Sequence, residues 1–229
     1  IPLLDRLRDA DPAKGLALPG DLLRVLDTKL RPLIDPPLKA SARWLVARGV
    51  TADQITIAGF GAGVAAAVAI SGGNVTLGLF LIAANRLADG VDGAVARISS
   101  PTDRGGFLDI ALDFVFYASI PLAFAWSDPA KNALPAAFLI ASFLANGAAF
   151  RAFAIIAAKR GIATYAQGAK SFFYVAGLAE GTETIAAFAA FCLWPVAFPW
   201  LAILFAALCG LSATARIVGW REWLSLPEL

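Results

Sequence analysis

The sequence predicts an all-α integral membrane protein: a bundle of six transmembrane helices with an N-terminal amphipathic interfacial helix. Three observations carry that prediction. Hydrophobic residues make up 59% of the 229 positions and charged residues 16%, against about 45–50% and about 25% in soluble domains, and the mean hydropathy is +0.71. The apolar residues fall into six runs, each approaching the roughly 20 residues that a bilayer core requires. Turn-formers separate those runs at Ser71-Gly-Gly-Asn74, Ser99-Ser-Pro101, Ser127-Asp-Pro129 and Trp194-Pro195.

Residues 1–20 mix Asp5, Arg6, Arg8, Asp9, Asp11 and Lys14 and contain no long apolar stretch. They read as a polar leading segment or linker, not as a secretory signal peptide. The start at Ile1 and the lack of methionine throughout lead us to expect a trimmed or processed N-terminus. Residues 21–50 form a juxtamembrane segment. Prolines 32, 36 and 37 interrupt it, and from Leu38 onward Lys39, Arg43 and Arg48 alternate with Leu38, Ala42, Leu45 and Val46. That pattern predicts an amphipathic helix lying on the membrane surface, and Gly49 suits its end.

The six spans are expected near 54–71, 75–97, 106–126, 133–158, 171–193 and 197–215, giving a membrane domain over 51–216 and a cytoplasmic tail over 217–229. Span one is rich in small residues, and Gly59 and Gly63 make a GxxxG. This spacing lets helices approach closely. Packing within the chain is the favoured use, with a dimer seam as the other.

Orientation follows from the basic residues. Nine precede span one. Arg97 and Arg104 adjoin the turn after span two; Lys159, Arg160 and Lys170 lie between spans four and five; Arg216 and Arg221 follow at the C-terminal end. The opposite connections hold only Lys131. Both termini are therefore expected in the cytoplasm.

The chain has no histidine. Ser-His-Asp and Cys-His catalysis and the usual zinc sites are thereby excluded, and a general base must be a carboxylate, a lysine or a tyrosine. Cys192 and Cys209 sit in apolar runs without CxxC spacing and read as inert core residues. Nothing in the chain points to nucleic acid as a partner.

The exception to the apolar pattern is Asp89-Gly-Val-Asp92-Gly93-Ala-Val-Ala96-Arg97, answered by Asp109-Ile-Ala-Leu-Asp113. Charges inside a bilayer cost several kcal/mol, so ionisable residues there are functional candidates by default. Asp89 and Asp92 are three apart and Asp109 and Asp113 four apart, so each pair shares one helical face. Facing each other, the pairs make an all-oxygen site for a hard divalent cation. The structural alternative is an ion-pair network with Arg86, Arg97 and Arg104. Such a network has no need of Gly93 and Ala96 at their positions.

Taken together, residues 89–113 run D-x2-D-G-x2-A-R-x7-G-x3-D-x3-D. This resembles the signature of the CDP-alcohol phosphotransferases, membrane enzymes that form phospholipid headgroup linkages. Eight fixed positions match within 25 residues. The chain is one residue shorter than the family pattern between Arg97 and Gly105, in a loop where a lost residue is tolerated. Gly49-Val-Thr-Ala-Asp-Gln-Ile-Thr56 also looks like the family's Thr-Pro-Asn-x-x-Thr entry to the first span, with Ala52-Asp53 in place of Pro-Asn. The Pro101 to Asp109 run and Thr182-Glu-Thr184 look most like a bacterial inner-membrane subgroup.

The resemblance implies a metal-dependent transferase. Asp89, Asp92, Asp109 and Asp113 would hold Mg²⁺ or Mn²⁺, and Asp113 would also take the proton of the attacking hydroxyl. Asp89, Gly93, Ala96, Arg97, Thr51 and Asp53 would contact the CDP moiety. Gly93 and Ala96 leave room for close approach, and Arg97 suits a phosphate. The expected donor is CDP-diacylglycerol, the acceptor an alcohol, and the product CMP; a homodimer in the inner membrane is also implied.

Arg151, Lys159, Lys170 and Arg216 are candidates for an anionic acceptor pocket or for snorkelling to headgroups. Glu180 and Glu183 share a face and suit a polyol, a cationic headgroup or a partner such as Arg151. Three rivals stay open: a soluble CDP-alcohol donor with a lipid hydroxyl acceptor, an ion transporter, and a non-catalytic membrane scaffold.

Overall fold

A computed structural model describes residues 36–159 and 181–224, and these form helices and turns with no strand. Helix α1 covers residues 36–46. It is followed by α2 (Ala52–Ser71), α3 (Val75–Ser99), α4 (Asp103–Ser127) and α5 (Pro129–Lys159). Helix α6 (Gly181–Leu193), a short 3₁₀ turn (Pro195–Ala197) and α7 (Phe198–Leu224) complete the described order.

Local chemistry sets the boundaries. Thr51 opens α2 with a capping box: its hydroxyl accepts from Gln54 N–H at 3.3 Å while Gln54 Oε1 accepts from Thr51 N–H at 3.0 Å, satisfying two otherwise orphaned donors. Gly73, at φ +83°, turns the chain, and Asn74 caps α3 by accepting from Leu77 N–H at 3.1 Å. Helix α4 starts three residues earlier than the apolar run suggests. Thr102 caps it by accepting from Gly105 N–H at 3.0 Å, and Asp103 sits in its first turn, where the helix dipole favours a carboxylate. Helix α5 likewise begins at Pro129 rather than near 133, because proline is compatible with a first helical turn.

Among the described residues, four segments are long and apolar enough to cross a membrane: Ala52–Ser71, Asp103–Ser127, Pro129–Ile156 and Pro195–Val218. Helix α3 matches α4 in length at 25 residues but carries Arg86, Asp89, Asp92 and Arg97. Helix α6 has 13 described residues; residues 171–180 of the expected fifth span lie outside the described part. Residues 21–35 of the expected juxtamembrane segment lie outside it too. The last turns of that segment, in α1, bury Ala42 against Ala94 and Val95 of α3. Trp44 remains exposed there, with Arg48 stacked 3.3 Å over its ring.

Helix α2 packs on α3 and α4, α4 on α5, α5 on α7, and α6 on α3 and α7. In lipid, close packing rather than escape from water holds helices together. Gly59 and Gly63 serve that purpose within the chain. A Cβ on Gly59 would lie 2.7 Å from Ala88 Cβ, and one on Gly63 would lie 2.6 Å from the Phe116 ring. Farther along, Phe116, Phe124, Phe188, Phe191 and Phe198 are fully buried. Phe124 stacks on Phe198 at 4.5 Å between centroids and meets Phe191 edge-on at 6.0 Å. Trp126, Trp194 and Trp200 are exposed around the α4–α5 and α6–α7 turns, where aromatic residues anchor membrane proteins at the interface.

Candidate active site

The chain reverses between α3 and α4 through only Ser100, Pro101 and Thr102, with Ser100 at φ +76°. The shortened loop of the motif thus becomes a tight turn that still brings the two acidic faces together. One carboxylate oxygen each from Asp89, Asp92 and Asp109 lies within 4.8 Å of the other two. Asp92 is buried and the other two are half-buried. Three carboxylates so placed match the hard, all-oxygen donor set of Mg²⁺ or Mn²⁺. They border a cavity of about 10 Å³, which Thr56, Asn85, Arg86 and Asp113 also line. That is the room of one small ion or water, so the residues fit a single divalent cation.

Two layers of hydrogen bonds orient this set. Thr56 Oγ1 on α2 donates to Asp92 Oδ2 at 2.6 Å. Asn85 Nδ2 donates to the Gly59 carbonyl at 2.8 Å, and Arg86 Nε donates to Asn85 Oδ1 at 2.7 Å. The Arg86 guanidinium then spans α3 and α4. It donates to Asp113 Oδ1 at 2.7 Å and to the Tyr117 hydroxyl at 3.3 Å, and it lies 3.6 Å from Asp89 Oδ2. Asp113 therefore lines the cavity with its carboxylate bound to Arg86, one helical turn beyond Asp109.

A larger cleft of about 720 Å³ adjoins the carboxylates and shares Thr56, Asp92 and Asp109 with the small cavity. Thr51, Asp53, Gly93 and Ala96 line it, and its volume suits a nucleotide-sized ligand. A Cβ on Gly93 would meet only Arg97 Nη1, at 3.3 Å, so the Arg97 guanidinium reaches back over Gly93. Asp53 pairs with Arg104 at 3.4 Å; Arg104 is 81% exposed, and such surface pairs contribute little, about 0–1 kcal/mol.

The acceptor candidates are spread more widely. Arg151 on α5 lies over the Phe114 ring at 5.1 Å, within electrostatic reach of Asp109, and its Nε is buried with no hydrogen-bond partner. Arg216 donates instead to Asn146 Oδ1 and lies over Phe150 at 5.2 Å. Lys159 is exposed at the end of α5, and Glu183 is half-buried in the first turn of α6. Lys170 and Glu180 lie outside the described residues.

The motif gives no role to Thr56, Asn85 or Tyr117, and the sequence points to Arg86 only as a partner in an ion-pair network. Their signal lies in helical spacing. Arg86 is three residues before Asp89, Tyr117 four after Asp113, and Thr56 closes the segment that opens with Thr51.

Residues 49–221 match the model of the CDP-alcohol phosphatidyltransferase family. The inner membrane protein YnjF of Escherichia coli (strain K12) is 44% identical over 205 residues, covering 90% of this chain and 98% of that protein. The archaetidylinositol phosphate synthase of Pyrococcus horikoshii is 34% identical over 94 residues, 41% of this chain and 50% of that protein. Two crystal structures of Mycobacterium tuberculosis phosphatidylinositol phosphate synthase (PgsA1) share the fold. One has CDP-DAG bound (TM-score 0.59, 21% identity, 79% of this chain and 92% of that one). The other holds manganese and citrate (TM-score 0.60, 20% identity, 79% and 87%). With its apolar helices and its signature match, the chain is an integral membrane protein that belongs to the CDP-alcohol phosphatidyltransferase family.

Proposed function

We propose that this chain is a metal-dependent transferase that moves a phosphatidyl group from CDP-diacylglycerol to an alcohol and releases CMP. The observation that carries the proposal is the convergence of Asp89, Asp92 and Asp109 beside a 720 Å³ cleft. In the cleft, Thr51, Asp53, Gly93 and Ala96 accommodate the CDP moiety, and Arg97 contacts a phosphate. Asp89, Asp92 and Asp109 would hold Mg²⁺ or Mn²⁺, which would supply positive charge against the negative charge building on the pyrophosphate oxygens.

The chain's own residues provide the remaining chemistry. The acceptor oxygen attacks the β-phosphorus, and the bond from that phosphorus to the bridging oxygen of CMP breaks. The hydroxyl proton passes to Asp113, whose carboxylate Arg86 and Tyr117 hold in place. Arg151 contributes positive charge on the acceptor side of Asp109, with Lys170, Lys159, Arg216, Glu180 and Glu183 as further contacts to the acceptor. The membrane domain crosses six times, α1 lies at the bilayer surface, and both termini face the cytoplasm with the site. The active form is a homodimer.

A transporter reading requires carboxylates distributed through the membrane; Asp89, Asp92 and Asp109 instead gather in one cluster, with oxygens within 4.8 Å of one another. The donor direction is tested by thin-layer separation of products from purified protein. One reaction receives labelled CDP-diacylglycerol and an alcohol panel, the other a labelled soluble CDP-alcohol and diacylglycerol. Label entering a new phospholipid in the first supports the proposal, and label transferred only in the second overturns its direction.

A further inference from the structure

The larger cleft is unevenly charged. Of the described residues that line it, Asp53, Asp92 and Asp109 are acids and Arg104 is the one base. Asp92 and Asp109 belong to the cluster whose oxygens gather within 4.8 Å, where a divalent ion would answer their charge. Asp53 is not in that cluster. It lies three residues before Thr56, which reaches Asp92, so it shares that helical face one turn nearer the start of α2. Like charges set against each other are costly. An unanswered Asp53 would therefore oppose the entry of a nucleoside diphosphate.

Arg104 answers it, joining the first turns of α2 and α4. Its Nε lies 3.4 Å from Asp53 Oδ2. Asp53 Oδ1 passes so close to Gly105 that a Cβ there would lie 3.0 Å away. The helix dipole accounts for an acid in the first turn of α2, but not for an arginine brought to it from α4. Stability gives the pair little purpose, because exposed ion pairs are weak. Where the family's entry segment has Asn, this chain has Asp53. The additional negative charge and the arginine that meets it thus occur together on the wall of one cleft.

From these relations we infer that Arg104 is a positioning residue for the nucleotide: it neutralises Asp53 and so fits this wall of the cleft to an anionic nucleoside diphosphate. Arg104 acts through Asp53 and not by contact with the phosphates. This inference rests on the CDP-dependent reading of the cleft and adds to it a determinant of donor affinity.

The test is calorimetric titration of CDP into purified protein in detergent with Mg²⁺, at low salt so that screening does not mask the effect. Wild type, Arg104→Gln, Asp53→Asn and the double variant form a closed cycle. Arg104→Gln should bind CDP about 5–50-fold more weakly, within the range of coupling between neighbouring charges. Arg104→Lys, which keeps the charge, should recover most of that loss. In the Asp53→Asn background, Arg104→Gln should cost less than about twofold, because no charge is left to neutralise. Arg104 is 81% exposed, so its replacement leaves the fold intact, and melting temperatures check this. Equal CDP affinity in wild type and Arg104→Gln would overturn the inference and leave the CDP-dependent reading in place. An equal loss in both backgrounds would do the same, since Arg104 would then touch the nucleotide itself. No CDP binding to wild type would overturn both.

Discussion

Thr56 Oγ1 donates a 2.6 Å hydrogen bond to Asp92 Oδ2 across 36 residues of sequence. It ties the first helix of the membrane domain to the central carboxylate of the candidate site. A hydroxyl bonded to an ionised carboxylate is a strong bond, about 1.5–3 kcal/mol. The bond thus helps to hold the Asp92 carboxylate beside those of Asp89 and Asp109.

Thr56→Val keeps the shape of the side chain and removes the donor. Divalent-ion affinity should fall by about 10–100-fold, as when other metal sites lose an orienting partner. Mn²⁺ titration of the purified variant checks this. Unchanged affinity would mean that Asp92 is oriented by packing alone.

Gly93→Ala separates fold from ligand. The added methyl meets only the movable end of Arg97, at 3.3 Å, and alanine in a helix interior is about 0.5–1 kcal/mol better than glycine. The melting temperature in detergent should therefore hold or rise, while KM for the CDP-linked donor rises. A variant with wild-type KM would remove Gly93 from the nucleotide surface.

Gly59→Ala and Gly63→Ala should both lower thermal stability, by about 1–3 kcal/mol, through overpacking. Their new methyls lie 2.7 Å from Ala88 Cβ and 2.6 Å from the Phe116 ring. Gly61→Ala, with nothing within 4 Å, serves as the control and should be neutral. Equal melting temperatures for all three would contradict the α2–α3–α4 packing.

Much of this arrangement is legible in the sequence because helical spacing is a local property. The three- and four-residue steps within Asp89/Asp92 and Asp109/Asp113 set which face each pair occupies, and the Ser-Pro-Thr turn leaves α3 and α4 little choice but to be neighbours. The turns at Gly73 and Pro129 follow equally from local chemistry. The partners of those aspartates are harder to read. Whether Asp113 meets Arg86 or joins Asp109 depends on how α3 rotates against α4, which Gly59, Gly63, Ala88 and Phe116 decide together. Thr56 reaches Asp92 for the same reason. The starts of α4 and α5 do not stand out as apolar, because α4 opens on the polar pair Thr102 and Asp103 and α5 on Pro129. The acceptor side is the least legible, because Arg151, Glu183 and Arg216 lie on three different helices and Arg216 turns to Asn146.

The central claim is that the carboxylates serve CDP-dependent transfer. The most direct measurement is CMP release by purified protein from CDP-diacylglycerol across a panel of alcohols, with Mg²⁺, Mn²⁺ or EDTA. The account predicts release with at least one alcohol, loss in EDTA, and a fall of about 10²–10⁴-fold in Asp113→Asn with its melting temperature retained. Absence of metal-dependent CMP release with every alcohol, or full activity in folded Asp113→Asn, would contradict it.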